Sequence, residues 1–214
     1  MIVAIDGPAG AGKSSVGKAV AQQLGFVRID TGALYRAVGF AATRGQVGPE
    51  DPGLGAFASG LDLAFDGDRV LLDGEDVTEA IRTPEMSKAA SLYAAKIPVR
   101  EALLSLQRRL GRAQDSVLEG RDIGTVVFPD AEVKIFLTAS DEARAQRRLK
   151  ELEGKGITAS LDEVLADIRA RDAADSGRDV APLVQADDAV VVDTTALDFE
   201  GAVEACVRVV KNRQ

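Results

Sequence analysis

Four residues near the start of the chain have the types and the spacing needed to bind a polyphosphate. Gly7, Gly12, Lys13 and Ser14 fill the fixed positions of the pattern G-x-x-x-x-G-K-S/T. Glycines let backbone N–H groups curl around phosphate oxygens, and a helix that begins there adds partial positive charge. The lysine can reach the β- and γ-phosphates, and the serine hydroxyl can ligate Mg²⁺. The run Gly7–Ser14, a P-loop, therefore predicts a nucleoside triphosphate site.

Two further motifs place arginine where a strand is expected to end. Asp30–Arg36 follows the second expected strand, and Glu119–Gly124 lies at the end of the third. Open α/β sheets bind ligands beyond the carboxyl ends of their strands, so Thr31 and Arg36 are expected near the P-loop, facing an acceptor. Simpler interpretations stay open: Thr31 caps a helix beside a solvated arginine, and the adjacent Arg121-Asp122 form a surface ion pair.

Two groups of charged side chains are spaced to share a helix face. The first group consists of Arg171, Asp175 and Arg178. The second group consists of Arg144, Arg147 and Arg148, on a charged helix expected at about 141–153 before the flexible turn Gly154-Lys155-Gly156. The alternatives are an ordinary salt-bridged helix end for the first group and a solvated face for the second.

A P-loop combined with many arginines fits phosphoryl transfer, in which catalysis is mostly positioning and charge neutralisation. The chain has no histidine, so catalytic triads that need an imidazole are excluded. An acceptor that is already an anion, such as a nucleoside monophosphate, requires no general base. A neutral hydroxyl acceptor would instead require a nearby aspartate to take its proton.

The composition indicates a folded, acidic protein. Apolar residues make up 46% of the chain, and 26 basic against 34 acidic side chains give a formal charge of −8. Aromatic residues make up 4%, with no tryptophan. The negative charge and the few aromatic side chains argue against a nucleic acid polymer as partner. One cysteine, Cys206, allows no intrachain disulfide, and without histidine a zinc site of the usual kind is excluded.

The sequence shows neither the pattern of a membrane helix nor that of a signal peptide. No apolar run reaches the roughly 18 residues of a membrane helix. The N-terminus leads directly into an expected strand and lacks the basic and apolar parts of a signal peptide. We therefore expect a cytoplasmic protein without membrane contact, and because nothing in the sequence demands an oligomer, a monomer.

The elements that must position these residues form an α/β pattern. Five short apolar runs separated mostly by helical patterns predict parallel strands. These runs are Ile2–Ile5, Phe26–Ile29, Val117–Glu119, Val133–Leu137 and Ala189–Val192. The last helix is expected to turn one apolar face to the core, formed by Phe199, Val203, Cys206, Val207 and Val210. Cys206 is therefore interpreted as a core thiol.

One stretch breaks the alternation. Asp66-Gly67-Asp68 and Asp73-Gly74 separate short alternating segments between residues 61 and 77, which predicts a small antiparallel meander inserted into the parallel fold. Helices are expected at Pro84–Lys96 and Val99–Ala113, separated by Pro98. The glycine-rich run Gly45–Gly60 is expected to be a loop. Further along, Ser160 and Glu163 form a capping box that begins a helix.

In type, order and length, these motifs resemble those of the bacterial cytidylate kinases, P-loop kinases of the nucleoside monophosphate kinase family. The resemblance covers essentially the whole chain. The segments that carry it are Ile5–Lys13, Asp30–Arg36, Leu72–Val77, Gly120–Ala131, Arg171-Asp172 and Val180–Leu183. Several ordered motifs of this length are far more specific than a P-loop alone.

The resemblance implies a fold and a reaction. The implied fold is a P-loop core with a five-stranded parallel sheet, an inserted monophosphate-binding subdomain with a small antiparallel sheet, and a short lid. The core would cover about 1–40 and 114–214, the insert about 41–113 and the lid about 144–160. The implied enzyme transfers the γ-phosphoryl of ATP, with Mg²⁺, to CMP or dCMP, giving ADP and CDP or dCDP in pyrimidine metabolism.

The resemblance also implies the donor site. The residues that would bind ATP are Gly7, Pro8, Ala9, Gly10, Ala11, Gly12, Lys13, Ser14 and Ser15. Ser14 would ligate Mg²⁺ directly. Glu119 ends an expected strand, where P-loop enzymes often carry a carboxylate, and is a candidate to hold Mg²⁺ through water; it stands where some family members have Asp. Lys13 would act in catalysis together with one of three lid arginines, Arg144, Arg147 or Arg148, which would steady the transferring phosphoryl group.

The acceptor site is implied in the same way. Arg36, Arg171 and Arg178 would hold the CMP phosphate, and Thr31 stands where some members have another hydroxyl, that of Ser. Ser91, Arg100 and Asp122 would read cytosine, and Asp175 would bind the sugar. A carboxylate accepts a hydrogen bond from the cytosine N4 amino group, whereas the uracil oxygen at that place would face it lone pair to lone pair.

Two alternative functions remain. One is another small P-loop kinase acting on AMP, UMP or shikimate, which an acceptor panel would separate. The other is a P-loop switch ATPase that transfers nothing. The inserted subdomain and the arginine clusters favour a transferase, because they make sense around a second anion.

Overall fold

Strands and helices alternate along most of the chain. The computed structural model describes residues 1–213. Its strands are β1 (Ile2–Asp6), β2 (Val27–Asp30), β3 (Leu63–Asp66), β4 (Arg69–Leu72), β5 (Glu75–Asp76), β6 (Ser116–Gly120), β7 (Val133–Thr138) and β8 (Val190–Asp193). Its α-helices are α1 (Lys13–Leu24), α2 (Thr31–Gly45), α3 (Leu54–Gly60), α4 (Pro84–Ala94), α5 (Ile97–Arg112), α6 (Asp141–Gly154), α7 (Leu161–Ser176) and α8 (Phe199–Lys211). A π-helical turn, Ile123–Val127, follows β6.

The central sheet has five parallel strands in the order β2-β6-β1-β7-β8. All five strands expected from the sequence are present, each within one residue of its predicted ends. β1 lies in the middle and pairs with β6 on one side and β7 on the other. The P-loop that follows β1 therefore starts where the strand order reverses, the place where open α/β sheets bind ligands. The predicted fold class is confirmed.

The described residues divide into two compact units, Met1–Ile29 with the residues from Gly111 onward, and Asp30–Leu110. The core of the first unit consists of the buried faces of the central strands, α1 and α8. Cys206 is fully buried there, and burial raises the pKa of its thiol to about 12, so its interpretation as a core residue is confirmed. The expectation for Phe199 is wrong: it is 48% exposed, because it opens α8 directly after the cap Asp198.

The second unit contains the predicted meander. Strands β3, β4 and β5 form an antiparallel sheet, with positive φ at Gly67 and Gly74 in its two turns. The buried faces of this sheet and of the helices from α2 to α5 share one apolar cluster, which includes Leu34, Leu72 and Leu103. The two compact units are defined by packing alone. The boundaries that the family resemblance implies for the core, the insert and the lid therefore stay predictions.

Two local expectations in the second unit are wrong. The run Gly45–Gly60 is not all loop, because α3 occupies its end and buries Leu54 and Ala58. That packing outweighs the low helix propensity of its glycines. Pro98 does not separate two helices but lies in the first turn of α5, where its missing N–H leaves no intrahelical bond unmade.

Helices α6 and α7 pack against each other in the first unit. Ala145 and Leu152 on α6 meet Val164 and Ile168 on α7 in a small apolar cluster. The predicted capping box begins α7, since Ser160 Oγ accepts from Glu163 N–H and the Glu163 carboxylate accepts from Ser160 N–H. Among residues 1–213, no helix has the length and apolar character needed to span a membrane.

Candidate active site

The P-loop joins β1 to α1 through a tight glycine-dependent turn. Gly7, Gly10 and Gly12 have φ angles of 152°, 74° and 88°. A Cβ on Gly7 would lie 2.0 Å from the carbonyl oxygen of Leu137 on β7, so only glycine fits there. Gly12 precedes α1 with no side-chain cap. The first N–H groups of α1 are thus not used by a cap and are suited to bind an anion.

Lys13 lies folded into the P-loop. Its ammonium donates to the carbonyl oxygens of Gly7 and Pro8, both at 2.7 Å, and the residue is 8% exposed. Burial, together with the nearby positive charge of Arg121, lowers the pKa of Lys13 well below its usual range, and Arg171 acts in the same direction. Positive charges from three segments of this unit therefore converge on the loop, an arrangement that a bound polyanion would stabilise.

Three arginines lie around Asp175: Arg171 on α7, Arg178 just after α7 and Arg121 just after β6. Asp175 is 1% exposed, and Arg121 Nε donates to its Oδ2 at 2.8 Å. Arg178 pairs with its other oxygen, and Arg171 Nε lies 4.0 Å away. Arg171, Asp175 and Arg178 lie close together as predicted, but they do not share one helix face, because α7 ends at Ser176 and Arg178 follows it. Arg121 was noted in its motif but given no role, and its pairing with a residue 54 positions away has no local signal.

The three arginines of α6 have different surroundings, and a fully solvated face is therefore wrong. Arg144 is 4% exposed and donates to the P-loop carbonyl of Ala9 at 2.6 Å. Arg147 donates to Thr194 Oγ1 at 2.9 Å, beyond the end of β8. Arg148 lies one turn after Arg144 and pairs with Glu151 on the same helix at 2.7 Å. Arg148 thus pairs with its own helix, whereas Arg144 and Arg147 also donate to residues of other segments.

Asp122 lies buried between two ordered segments. It precedes the π-helical turn, and its carbonyl oxygen accepts from the N–H of Val126 at 2.9 Å. The Asp6 carboxylate, at the end of β1, accepts from the N–H groups of Ile123 and Gly124 at 2.8 and 2.7 Å. Burial raises the pKa of Asp6 to about 6, although these two bonds oppose the shift. Sequence reasoning missed this role of Asp6.

Glu119 is the penultimate residue of β6 and lies near helix α1. Its Oε1 accepts from Arg28 Nε at 2.7 Å, and the residue is 3% exposed. A Cβ on Gly17, one turn into α1 from Ser14, would lie 3.9 Å from the same oxygen. The carboxylate is thus close to the helix that carries the predicted Mg²⁺ ligand. Its part in holding Mg²⁺ stays a prediction.

In the second unit, Asp30 rather than Thr31 caps α2, so the capping interpretation of Thr31 is wrong. Asp30 Oδ1 accepts from Ala33 N–H at 3.0 Å, while Thr31 is itself the first helical residue. The other oxygen of Asp30 accepts from Arg36 Nη2 at 2.7 Å. Arg36 Nε is buried without a hydrogen-bond partner, which is unusual for a charged donor. Asp30 thus orients an arginine that retains donor capacity.

Arg100 and Ser91 lie in the helical part of the second unit. Arg100 is 8% exposed, donates to the Ala94 carbonyl oxygen at 3.2 Å and stacks over the Tyr35 ring at 5.6 Å. Ser91 Oγ lies on α4 and donates weakly to Ser87 O at 3.4 Å. Stacking and burial fix the guanidinium of Arg100 in place. An arginine held in this way suits recognition of a planar polar group.

Comparison with a solved structure bears on the fold alone. An uncharacterized protein from Eubacterium ventriosum has a similar fold, with a TM-score of 0.57 at 12% identity, covering 99% of this chain and 98% of the other.

Comparison with sequences identifies the family. The cytidylate kinase of Geobacter sp. strain M21 is 52% identical, over 100% of this chain and 94% of the relative. That of Enterococcus faecalis is 48% identical, over 99% of this chain and 96% of the relative. A family model described as cytidylate kinase matches residues 3–212. The chain therefore belongs to the cytidylate kinase family and is an ATP-dependent phosphotransferase.

Proposed function

We propose that this chain transfers the γ-phosphoryl group of ATP to CMP or dCMP, giving ADP and CDP or dCDP. Full-length similarity to cytidylate kinases supports this reaction. The observation that carries it in the structure is Lys13, which is buried against the P-loop carbonyl oxygens of Gly7 and Pro8. In the same unit, Arg121 and Arg178 pair with the buried carboxylate of Asp175. Basic side chains held in this way suit the binding and transfer of phosphoryl groups.

The donor site is proposed to be the P-loop together with Ser15, with ATP bound by their backbone N–H groups. On binding, the triphosphate would replace the Gly7 and Pro8 carbonyl oxygens as partner of Lys13. Mg²⁺ fits the residues present, because the Ser14 hydroxyl is exposed at the start of α1 and the Glu119 carboxylate lies near that helix. The ion, when bound, neutralises phosphate charge.

The acceptor is proposed to be bound by the residues that the family resemblance assigns. Arg36, Arg171 and Arg178 would hold the CMP phosphate, with Thr31 adding a hydroxyl. The base would be read by Ser91, Arg100 and Asp122. The buried Asp122 carboxylate would accept from the cytosine N4 amino group. Asp175 would contact the sugar while it holds its arginine partners.

The reaction needs no proton transfer from the acceptor. An oxygen of the CMP phosphate, already an anion at neutral pH, forms a bond to the γ-phosphorus, while the bond from that phosphorus to the bridging oxygen of ADP breaks. Positioning and charge neutralisation then dominate catalysis. In agreement, the buried Asp6 carboxylate is engaged by two N–H groups, so it is poorly placed to act as a general base.

Arg148 is proposed to be the arginine of α6 that steadies the transferring group. Arg144 is committed to Ala9 and Arg147 to Thr194. Arg148 shares the helix face of Arg144, four residues away, and its ion pair with Glu151 lies on the partly exposed surface of α6. We further propose that the protein acts as a monomer in the cytoplasm on small molecules. No observation favours AMP, UMP or shikimate as acceptor, or a switch ATPase.

The experiment that tests this proposal is equilibrium binding of CMP by calorimetry, with and without a non-hydrolysable ATP analogue. We expect CMP to bind in the presence of the analogue, because both anions are needed for transfer. UMP and AMP serve as control ligands and should bind at least about tenfold more weakly than CMP. Absence of CMP binding while the analogue binds would contradict the proposal and favour a P-loop switch.

A further inference from the structure

One residue of the P-loop, Ala9, has both of its backbone polar groups bound by charged side chains. The Ala9 N–H donates to Asp172 Oδ1 at 2.8 Å, and the Ala9 carbonyl oxygen accepts from Arg144 Nη1 at 2.6 Å. Arg144 Nη1 also donates to Asp172 Oδ2 at 2.5 Å. The two side chains therefore bind the backbone N–H and C=O groups of Ala9 and also bind each other. We call this arrangement the Ala9 clamp.

The Ala9 clamp is itself firmly anchored. Arg144 Nε donates to the Ala139 carbonyl oxygen at 3.1 Å, and Nη2 donates to Asp141 Oδ1 at 2.5 Å. A Cβ on Gly10 would lie 3.2 Å from Arg144 Cβ, so the loop also packs directly on α6. Hydrogen bonds to ionised groups are stronger than neutral ones. The clamp therefore fixes the loop at Ala9 by contacts that do not involve a ligand.

We propose that Arg144 and Asp172 are positioning residues that pre-organise the P-loop for the polyphosphate of ATP. The inference rests on the proposed function, because it assumes that the loop binds the phosphates of ATP. Since the clamp uses the Ala9 N–H, the N–H groups from Gly10 onward are left for the phosphate. A loop held in its binding conformation avoids the entropy cost of ordering when the ligand arrives.

The clamp also sets the loop relative to two arginines of the first unit. Arg171 directly precedes Asp172, and Arg148 lies one turn beyond Arg144 on the same face of α6. A shift of Ala9 would therefore change the spacing between the phosphate-binding N–H groups and both guanidinium groups. This assigns Arg144 to the support of the loop rather than to the transferring phosphoryl group.

The test compares Asp172→Ala and Asp172→Asn with a matched control, Asp167→Ala. Asp167 is an exposed carboxylate on the same helix, α7, so the control removes the same side chain from the same helix outside the Ala9 clamp. The readouts are the hydrogen exchange of the Ala9 amide by NMR, and the dissociation constants of inorganic tripolyphosphate and ATP by calorimetry. Neither readout depends on turnover.

In the wild type we expect the Ala9 amide to exchange slowly. In Asp172→Ala it should exchange at least about tenfold faster, and the dissociation constants of tripolyphosphate and ATP should rise about tenfold. Asp172→Asn keeps an oxygen acceptor, so both effects should be smaller. Asp167→Ala should leave both readouts within about twofold of the wild type, as expected for the loss of an exposed surface side chain.

Two results would overturn the inference. One is an Ala9 amide that stays protected in both Asp172 variants, which would mean that Asp172 does not hold the peptide. The other is faster exchange with unchanged tripolyphosphate and ATP affinity, which would mean that the clamp does not serve binding. If Asp172→Ala does not fold, Asp172→Asn decides. A wild-type protein that binds neither ligand would instead refute the proposed donor site, and the inference with it.

Discussion

Arg121 and Asp175 form an ion pair with 2.8 Å between Nε and Oδ2, and the carboxylate is 1% exposed. The pair joins the segment after β6 to the end of α7. Arg178 pairs with the same carboxylate, and Arg171 Nε lies 4.0 Å from it, so one aspartate holds two guanidinium groups and attracts a third. Without its charge, these groups would repel one another and lose their common orientation.

The first prediction concerns this carboxylate. Asp175→Asn keeps the shape of the side chain but removes the charge that holds the arginines. We expect the free energy of unfolding, measured by urea titration, to fall by about 3 kcal/mol. The KM for CMP should rise at least about tenfold, since positioned arginines bind its phosphate. The control Asp66→Asn breaks an exposed pair with Arg69 and should change unfolding by under about 1 kcal/mol. An unaltered KM would contradict the role given to Asp175.

A second prediction concerns the choice of base. Asp122→Asn replaces a pure acceptor with an amide that can also donate to the uracil oxygen. The ratio of kcat/KM for CMP to that for UMP should fall by roughly tenfold or more. Steady-state kinetics with both acceptors measure this ratio. Asp130→Asn, on an exposed turn, should leave the ratio as it is. Unchanged discrimination in Asp122→Asn would show that this carboxylate does not read the base.

The third prediction follows from the raised pKa of Asp6, about 6 against an ordinary value of 3.8. The folded protein holds this proton more tightly than the unfolded chain, so the group favours folding at low pH, and that contribution is lost as the pH rises through 6. Between pH 4.5 and 7 the loss is about 2 kcal/mol.

Urea unfolding of the wild type and of Asp6→Asn at both pH values measures this effect. The variant lacks the titrating group, so its free energy of unfolding should fall by about 2 kcal/mol less than that of the wild type over this range. Carbon-13 NMR of the wild-type Asp6 carboxyl should give a midpoint near 6. A midpoint near 4, or parallel pH profiles, would count against a buried carboxyl that favours its proton.

The fourth prediction separates the arginines of α6. Arg148→Ala should lower kcat by about 100-fold, with a much smaller change in ATP affinity, because the charge acts on the transferring group. Arg147→Ala should instead lower the melting temperature, since Arg147 anchors Thr194 at 2.9 and 2.6 Å. Single-turnover kinetics and thermal unfolding distinguish the two. The reverse pattern would move the catalytic role to Arg147.

Much of the fold could be predicted because its signals are local. The five parallel strands read as apolar runs, and the meander turns at Gly67 and Gly74 carry Asp-Gly pairs. The helix α3 was missed because its glycine-rich sequence has a low local propensity, and only burial of Leu54 and Ala58 explains it. Phe199 fits the periodicity of α8 but is its first residue, and it stays 48% exposed while Val203, one turn later, is buried.

The candidate site could be predicted in part. Motif and spacing identified the P-loop and the group of Arg171, Asp175 and Arg178. The bonds of Asp172 and Arg144 to Ala9 join positions 163 and 135 residues apart, and no local pattern encodes such distances. For the same reason, sequence alone left three α6 arginines equivalent, although their partners differ.

The central claim is tested most directly by a panel of acceptors with ATP and Mg²⁺, scored by product formation and kcat/KM. The acceptors are CMP, dCMP, UMP, AMP and shikimate. We predict that CMP or dCMP gives the highest kcat/KM, with one ADP formed for each CDP or dCDP. Higher kcat/KM with UMP, AMP or shikimate, or ADP formed without any phosphorylated acceptor, would contradict it.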